Sequence, residues 1–263
     1  MSQLTAIVTG ASEGLGKAFA VELAKRNINL LLVSLPNTGL THLANYLHRT
    51  FEIRVDTLEL DLTHNDSPAL IFNYFTQYQI SANILINNAG LGNWDWFVDK
   101  PAAFYRKQIE LNVTTPVLLT RMFLDQVDEE VTSYILNVGS LGGTFVVPRK
   151  QVYGASKAFI TYFTKCMQLE LAGKNVKMSL LSPGGINTKP ELLIMNQQLK
   201  GIAKATIFEA EDVASIAIEG LFKGKKEIVP GAANKLLVKL NSILPGFVKD
   251  AIIKGKLKEH GKK

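Results

Sequence analysis

The stretch Leu4-Thr5-Ala6-Ile7-Val8-Thr9-Gly10-Ala11-Ser12-Glu13-Gly14-Leu15-Gly16-Lys17 decides how the chain is read. Leu4–Val8 is a short apolar run of the kind that forms a strand buried on both faces. A glycine-rich turn follows it directly, and a helical pattern opens at Lys17 or slightly earlier, carried by Ala18, Val21, Leu23 and Ala24. Glycine permits a tight turn and a close backbone approach, and the free N–H groups of a helix N-terminus attract an anion. A strand, a glycine turn and a helix in that order therefore suit a pyrophosphate. The spacing is G-x-x-x-G-x-G rather than G-x-G-x-x-G, so a purely structural turn stays open at this point.

Working outward, apolar runs rich in Val, Ile and Leu recur at Ile28–Val33, Val55–Leu60, Ile84–Ile86, Tyr134–Val138, Val176–Leu181 and Glu227–Val229. Segments of helical periodicity separate most of them, such as Phe159, Phe163, Met167 and Leu171. Strands alternating with helices imply βαβ units, and strands apolar on both faces imply a parallel sheet covered on both sides. The expected fold is a doubly wound α/β sheet, Rossmann-like, in three αβα layers. No repeat, low-complexity tract or linker interrupts residues 1–263, which read as one domain. Ligands in such sheets bind beyond the carboxyl ends of the strands, so chemistry belongs just after the apolar runs.

Composition narrows the function classes. The chain has 263 residues, 47% of them apolar and 20% charged, an ordinary globular balance. Its single cysteine, Cys166, excludes an intramolecular disulfide, and His42, His48, His64 and His260 lack partners at metal-ligand intervals. A reducing, cytoplasmic setting without a metal is expected. The strand-like start leaves no room for a secretion signal, and no apolar stretch reaches the ~18 to 20 residues that a membrane span needs. The net charge of +6 is local: residues 1–234 hold 21 Lys/Arg against 21 Asp/Glu, whereas residues 235–263 hold 8 Lys and 2 acids. A neutral body with a basic tail argues against nucleic acid as a partner. That tail, residues 235–263, places Leu236, Leu237, Leu240 and Leu244, then Phe247, Val248, Ala251 and Ile252, at helical spacing. Two short amphipathic helices follow, with three competing uses: capping the domain, forming a subunit interface, or resting on an anionic membrane surface.

Tyr153-Gly154-Ala155-Ser156-Lys157 opens another helical segment, which sets a phenol and an ammonium on one face a turn apart. A phenol with a pKa of about 10 is a poor acid or base at neutral pH until a nearby cation favours its phenolate. The pair alone does not distinguish a site from a shared exposed face. Four pieces arriving in order do: the glycine loop, Asn87-Asn88-Ala89-Gly90 after Ile84–Ile86, Gly139-Ser140 after Tyr134–Val138, and Ser182-Pro183-Gly184-Gly185-Ile186-Asn187-Thr188 after Val176–Leu181.

In this ordered set the chain resembles the short-chain dehydrogenase/reductase family over roughly residues 4–190, most closely its 3-ketoacyl and 17β-hydroxysteroid reductases. The resemblance implies hydride transfer between a nicotinamide cofactor and a carbonyl/alcohol substrate. Tyr153 would be the general acid/base, Ser140 would hydrogen-bond the substrate oxygen, Lys157 would hold the nicotinamide ribose and lower the tyrosine pKa, and Asn112 would support a water-linked proton path. Gly10, Ser12, Glu13, Gly14, Leu15 and Gly16 would cradle the pyrophosphate, with Ser34 and Leu35 at the second strand's end. Asp61 and Leu62 would meet the adenine, Asn88, Ala89 and Gly90 the ribose, and Pro183, Gly184, Ile186 and Thr188 the nicotinamide side. Structural readings compete at three positions: Asn112 as a helix-bend residue, Asp61 as an Asx turn, Asn88 as a turn residue. The resemblance also implies a homodimer or homotetramer.

The second strand ends Leu32-Val33-Ser34-Leu35-Pro36-Asn37, with neither the acid that would hold ribose hydroxyls nor an arginine. Ser34, Asn37 and Thr38 offer neutral hydrogen bonds, which favours NADP(H) and leaves NAD(H) as the alternative; Glu13 weighs towards the latter. Lys189-Pro190-Glu191-Leu192-Leu193-Ile194-Met195, the run Leu141–Val147 and Trp94 and Trp96 form an apolar set suited to a lipophilic substrate, or to core packing. A protein that binds dinucleotide as a redox sensor or scaffold, without turnover, is the competing class.

Overall fold

The computed structural model describes residues 3–188, 190–197 and 201–249. Every apolar run forms a strand. In chain order these are β1 (Thr5–Thr9), β2 (Asn29–Ser34), β3 (Val55–Glu59), β4 (Ile84–Asn87), β5 (Ser133–Val138), β6 (Val176–Leu181), β7 (Gly185–Asn187), β8 (Ile207–Glu209) and β9 (Glu227–Ile228). Between them run the helices α1 (Gly14–Ala24), α2 (Leu40–Phe51), α3 (Ser67–Gln77), α4 (Ala102–Ile109), α5 (Thr115–Leu124), α6 (Gln151–Glu170), α7 (Pro190–Gln197), α8 (Gly201–Ala205), α9 (Ala210–Phe222) and α10 (Ala232–Ile243). Seven strands make one sheet in the order β3-β2-β1-β4-β5-β6-β9, and every pairing in it is parallel. The strand order reverses between β1 and β4, so the loops after these two strands diverge around a crevice.

Period-two alternation explains the layering. Ala6, Val8, Leu30, Leu32, Ile84, Ile86, Leu136 and Val138 face one side, packed with Phe19 and Leu23 of α1, Leu47 of α2 and Ile218 of α9. Their neighbours Ile7, Leu31, Val33, Leu85 and Ile135 face the other side, with Phe72 and Phe75 of α3 and Leu119 and Phe123 of α5. The central strands β1, β2, β4 and β5 are largely apolar on both sides because both faces are covered, which is the three-layer arrangement expected from sequence.

Four local features refine the sequence reading. Helix α1 starts at Gly14, slightly earlier than Lys17, which puts Leu15 and Gly16 in its first turn. Helix α6 buries Ser156, Lys157, Ile160 and Thr164, whereas Phe159 of the aromatic stripe points outward. Its sheet-facing side at this level carries the lysine and small residues, so Phe159 is left outside, stacked on the half-buried Phe163, while Met167 and Leu171 further along the stripe do reach the core. A small parallel pair, β7 with β8, brackets the segment after Thr188 that the sequence reading gave to the substrate. A π-helical turn, Glu110–Thr114, joins α4 to α5.

The first tail helix is α10. The buried amide of Asn234 anchors it, donating to the carbonyls of Pro230 (2.9 Å) and Thr206 (3.2 Å). Leu236, Leu240, Ile243 and, beyond it, Phe247 are exposed. The tail past Lys249, Lys189 and the side chains of Pro190, Glu191, Leu192 and Met195 lie outside the described residues. Among the described residues no helix is long and apolar enough to cross a membrane.

Candidate active site

The glycine loop is held to the neighbouring strand by a residue the sequence reading passed over. The hydroxyl of Thr9 donates to the Ile86 carbonyl (3.1 Å) and accepts the backbone N–H groups of Asn88 and Ala89 (3.0 Å each). The Asn88 amide donates back to the carbonyls of Thr9 (2.9 Å) and Gly10 (3.3 Å). These bonds lock the loops after β1 and β4 at the point of strand-order reversal. Asn88 is thus a turn brace, the structural alternative of the sequence reading. Thr9 carried no signal beyond its place before Gly10.

Glycine is required in this junction by space as well as by dihedral angle. Gly10 and Gly14 have φ of 65° and 52°, in the left-handed region. A Cβ on Gly16 would lie 1.9 Å from the Gly10 carbonyl oxygen, and one on Gly14 would meet Thr188 at 3.0 Å. Glu13 before α1 is extended, at φ −143° and ψ 170°. The first turn of α1, with the backbone of Gly10 beside it and Thr188 across it, is therefore a cradle that side chains would fill. Its free N–H groups and dipole suit a pyrophosphate. The residues fit a dinucleotide.

At the end of β2 the Ser34 hydroxyl donates to Ser12 (2.8 Å) and contacts Thr38 (3.0 Å), while Leu35 is 47% exposed. The Asn37 backbone N–H, in a left-handed residue, reaches the Glu59 carboxylate at 3.3 Å. Glu59, at the end of β3, brings an acid near a strand end where the sequence shows none. Asp61 accepts from the Thr63 backbone N–H (3.0 Å), the Thr63 hydroxyl (2.7 Å) and the Lys107 ammonium (2.9 Å). Burial works against ionisation here, but these donors overcome it and hold the carboxyl down at about 2. That is an Asx turn pinned to α4. Leu62 beside it is buried, and its carbonyl accepts the Thr115 hydroxyl (2.8 Å).

The structure brings Ser140, Tyr153, Lys157 and Asn112 together. Ser140 leaves β5 extended, and its Oγ accepts the Gly142 backbone N–H (3.0 Å) at the head of a short 3-10 turn, Leu141–Gly143. The Leu141 N–H donates to the Pro183 carbonyl (2.9 Å), which ties this loop to the one after β6. Gly184 continues that loop, where a Cβ would come within 2.4 Å of the Thr206 carbonyl oxygen, and Ile186 follows in β7. The Tyr153 ring lies between two glycines: a Cβ on Gly92 would be 3.4 Å from Cε2, and one on Gly142 3.5 Å from Cε1. Burial pushes the Tyr153 phenol up, and a hydrogen bond with Ser140 pulls it partly back.

Lys157 is buried, and its Nζ donates to the Val138 carbonyl (2.8 Å), 5.9 Å from the Tyr153 ring centroid. Burial pulls its ammonium down to about 8. The expected lowering of the phenol by Lys157 is not what this geometry gives: the ammonium is turned to a backbone carbonyl, and desolvation dominates at Tyr153. At neutral pH the phenol keeps its proton and Lys157 its charge.

Asn112, buried in the π turn, accepts the Leu91 N–H (2.8 Å) and donates to the Leu91 carbonyl (2.9 Å) and to Ser156 Oγ (3.0 Å). Ser156 in turn donates to the Tyr153 carbonyl (2.7 Å). Above them, a Cβ on Gly90 would sit 3.3 Å from Asn112 Oδ1 and 3.4 Å from Lys157 Nζ. The helix-bend reading of Asn112 is therefore correct as structure, and the bend is what aims the amide at the loop carrying Gly90 and Leu91. Among the described residues no group of His, Cys, Asp and Glu is arranged to hold a metal ion.

The family model described as short chain dehydrogenase matches residues 4–198. The very-long-chain 3-oxoacyl-CoA reductase of Mus musculus is 29% identical over 257 residues, covering 95% of this chain and 78% of that one. The 17-beta-hydroxysteroid dehydrogenase type 3 of Homo sapiens is 33% identical over 186 residues, covering 70% of this chain and 59% of that one. A solved short-chain dehydrogenase from Sphingobium yanoikuyae in complex with NADPH has the same fold, at a TM-score of 0.75 and 24% identity over 99% of this chain and 96% of that one. A glycine cradle joined to a serine, a tyrosine and a buried lysine agrees with these likenesses: the chain belongs to the short-chain dehydrogenase family of nicotinamide-dependent oxidoreductases.

Proposed function

We propose that the chain reduces a lipophilic ketone to its alcohol, with NADP(H) favoured as cofactor. The observation that carries this reading is the half-buried Tyr153 hydrogen-bonded to Ser140, its phenol pushed up by desolvation, with the buried Lys157 ammonium 5.9 Å from its ring centroid. When bound, the cofactor supplies the hydride. Tyr153 gives its proton to the substrate oxygen as charge develops there, and Ser140 orients that oxygen by a hydrogen bond. General acid help of this kind contributes ~100- to 10,000-fold. Lys157 holds a positive charge below the phenol and faces the ribose side of the crevice, while Asn112 fixes the loop that carries Gly90.

A lipophilic substrate is supported by Trp94, Trp96, Phe97 and Val146, which are exposed, and by Lys150, whose ammonium lies against the rings of both Trp94 and Tyr153. The mouse relative is named for a very-long-chain 3-oxoacyl thioester, which agrees in character. NADP(H) is supported by the neutral hydroxyls of Ser12, Ser34 and Thr38 and by the NADPH bound to the solved relative. The Glu59 carboxylate on Asn37 favours NAD(H) as the second reading. A non-catalytic sensor or scaffold is disfavoured, since all four catalytic side chains converge. The exposed Phe159, Tyr162 and Leu169 on α6 support assembly as a homodimer or homotetramer, and α10 supports peripheral contact with a surface; the cytoplasm is the proposed location.

Titrating the purified chain with NADPH and NADH, and then following reduced-nicotinamide absorbance with long-chain ketones, tests the reading. Turnover that survives Tyr153→Phe defeats it.

A further inference from the structure

Directly before α6, Arg149 and Lys150 bring two cations to the edge of the site. The Lys150 ammonium lies 4.8 Å from the Trp94 ring centroid and 5.4 Å from that of Tyr153, closer to the tyrosine ring than Lys157 is. The Arg149 guanidinium lies 5.4 Å from the Trp96 ring centroid. Arg149 is held in the left-handed region at φ 68°, and its carbonyl accepts the Asp95 backbone N–H at 3.1 Å, which clips the Trp94–Trp96 segment onto this corner.

Neither cation has a carboxylate partner among the described residues. The acid between the two tryptophans, Asp95, is engaged by Lys100 at 3.4 Å. The Nε of Arg149 is buried with no hydrogen-bond partner, and Lys150 is partly buried with its ammonium pulled down by desolvation. A desolvated charge without a counter-ion is costly, and aromatic faces recover only ~2 kcal/mol of that cost. The face of Trp94 holds the ammonium in place and leaves its N–H donors to a ligand. Such an arrangement at the wall of a carbonyl site is complementary to an anion on the substrate itself.

We propose that Lys150 and Arg149 form an anion-selecting subsite beside Tyr153, which takes a carboxylate or phosphate group carried by the ketone substrate. The inference rests on the ketone-reductase reading and narrows it: the preferred ketone is amphipathic, with an apolar chain and an anionic group near the carbonyl.

The chain's two tryptophans, Trp94 and Trp96, both lie against this pair, so their emission reports the subsite without any turnover. The full chain is titrated at constant ionic strength with 4-oxodecanoate, its methyl ester, hydroxyacetone phosphate and hydroxyacetone. Expected is a saturable emission change with at least one anion of the set and none with the matched neutral compound. That change is abolished in Lys150→Met and restored in Lys150→Arg. In steady state, the preference in kcat/KM for the responding anion over its neutral match falls at least tenfold in Lys150→Met, chiefly through KM. A carboxylate response and a phosphate response tell the two anion sources apart. Equal emission curves for anionic and neutral ligands, or an anion response unchanged in Lys150→Met, overturns the subsite whether or not any ketone is reduced. Anion binding without reduction of any ketone leaves the subsite standing and removes the reductase reading instead.

Discussion

The ammonium of Lys157 and the carbonyl of Val138 are hydrogen-bonded at 2.8 Å, which ties helix α6 to the carboxyl end of β5 at the level of the reacting groups. A single bond to a neutral carbonyl does not repay the burial of a full charge, and the lysine is pulled down to about 8 from its ordinary 10.5.

Reductive turnover should therefore fall as pH rises through about 8, where Lys157 loses its proton and the charge below Tyr153 disappears. The unfolded chain keeps this proton up to 10.5, so between these two values it binds more protons than the fold does. In that window this group makes stability rise with pH, opposite to the activity. Measuring kcat/KM and the urea midpoint across pH 7 to 10.5 checks both slopes. Lys157→Met should lack both.

Tyr153→Phe removes the ionisable hydroxyl while keeping the ring shape that Gly92 and Gly142 enclose. Loss of turnover by ~100- to 10,000-fold is expected, with cofactor affinity within a few-fold of the parent protein. Parallel fluorescence titration and steady-state assays separate the two effects.

Gly16→Ala places a methyl group 1.9 Å from the Gly10 carbonyl oxygen and 2.6 Å from the Asn88 amide, so the loop after β1 must move away from the first turn of α1. Overpacking of this kind costs ~1 to 3 kcal/mol. Cofactor affinity should drop by more than tenfold while the far-UV spectrum stays that of the parent. Calorimetric titration with the preferred dinucleotide measures it.

The sheet was legible because its strands are buried on both faces, so that runs such as Leu30–Val33 announce themselves without reference to their neighbours. The tyrosine and lysine of the candidate site were legible through their order among the strand-end motifs. What escaped is what depends on contacts between distant segments. Thr9 acts only through backbone groups near residue 88, Glu59 reaches the end of β2 from the next strand, and Lys150 gains meaning only when the Trp94 loop folds over it. The outward turn of Phe159 was missed because apolar periodicity marks a face without saying which way it points. The Lys157 charge acts where its ammonium is aimed, and spacing along a helix does not fix that aim.

Thr9 supplies the last expectation. Its hydroxyl serves two N–H groups and one carbonyl at the junction of the loops after β1 and β4, at 1% exposure. Thr9→Val keeps the volume but strips those donors of their acceptor, and each unsatisfied buried group costs ~1 to 3 kcal/mol. The loops should loosen together, lowering the urea midpoint and weakening dinucleotide binding, with a much smaller change in kcat at saturating cofactor because Tyr153 and Ser140 stand on other elements. Thr9→Ser restores the hydroxyl and should recover most of both losses. Equal behaviour of the Val and Ser variants in calorimetric titration would show that the hydroxyl does not brace the junction.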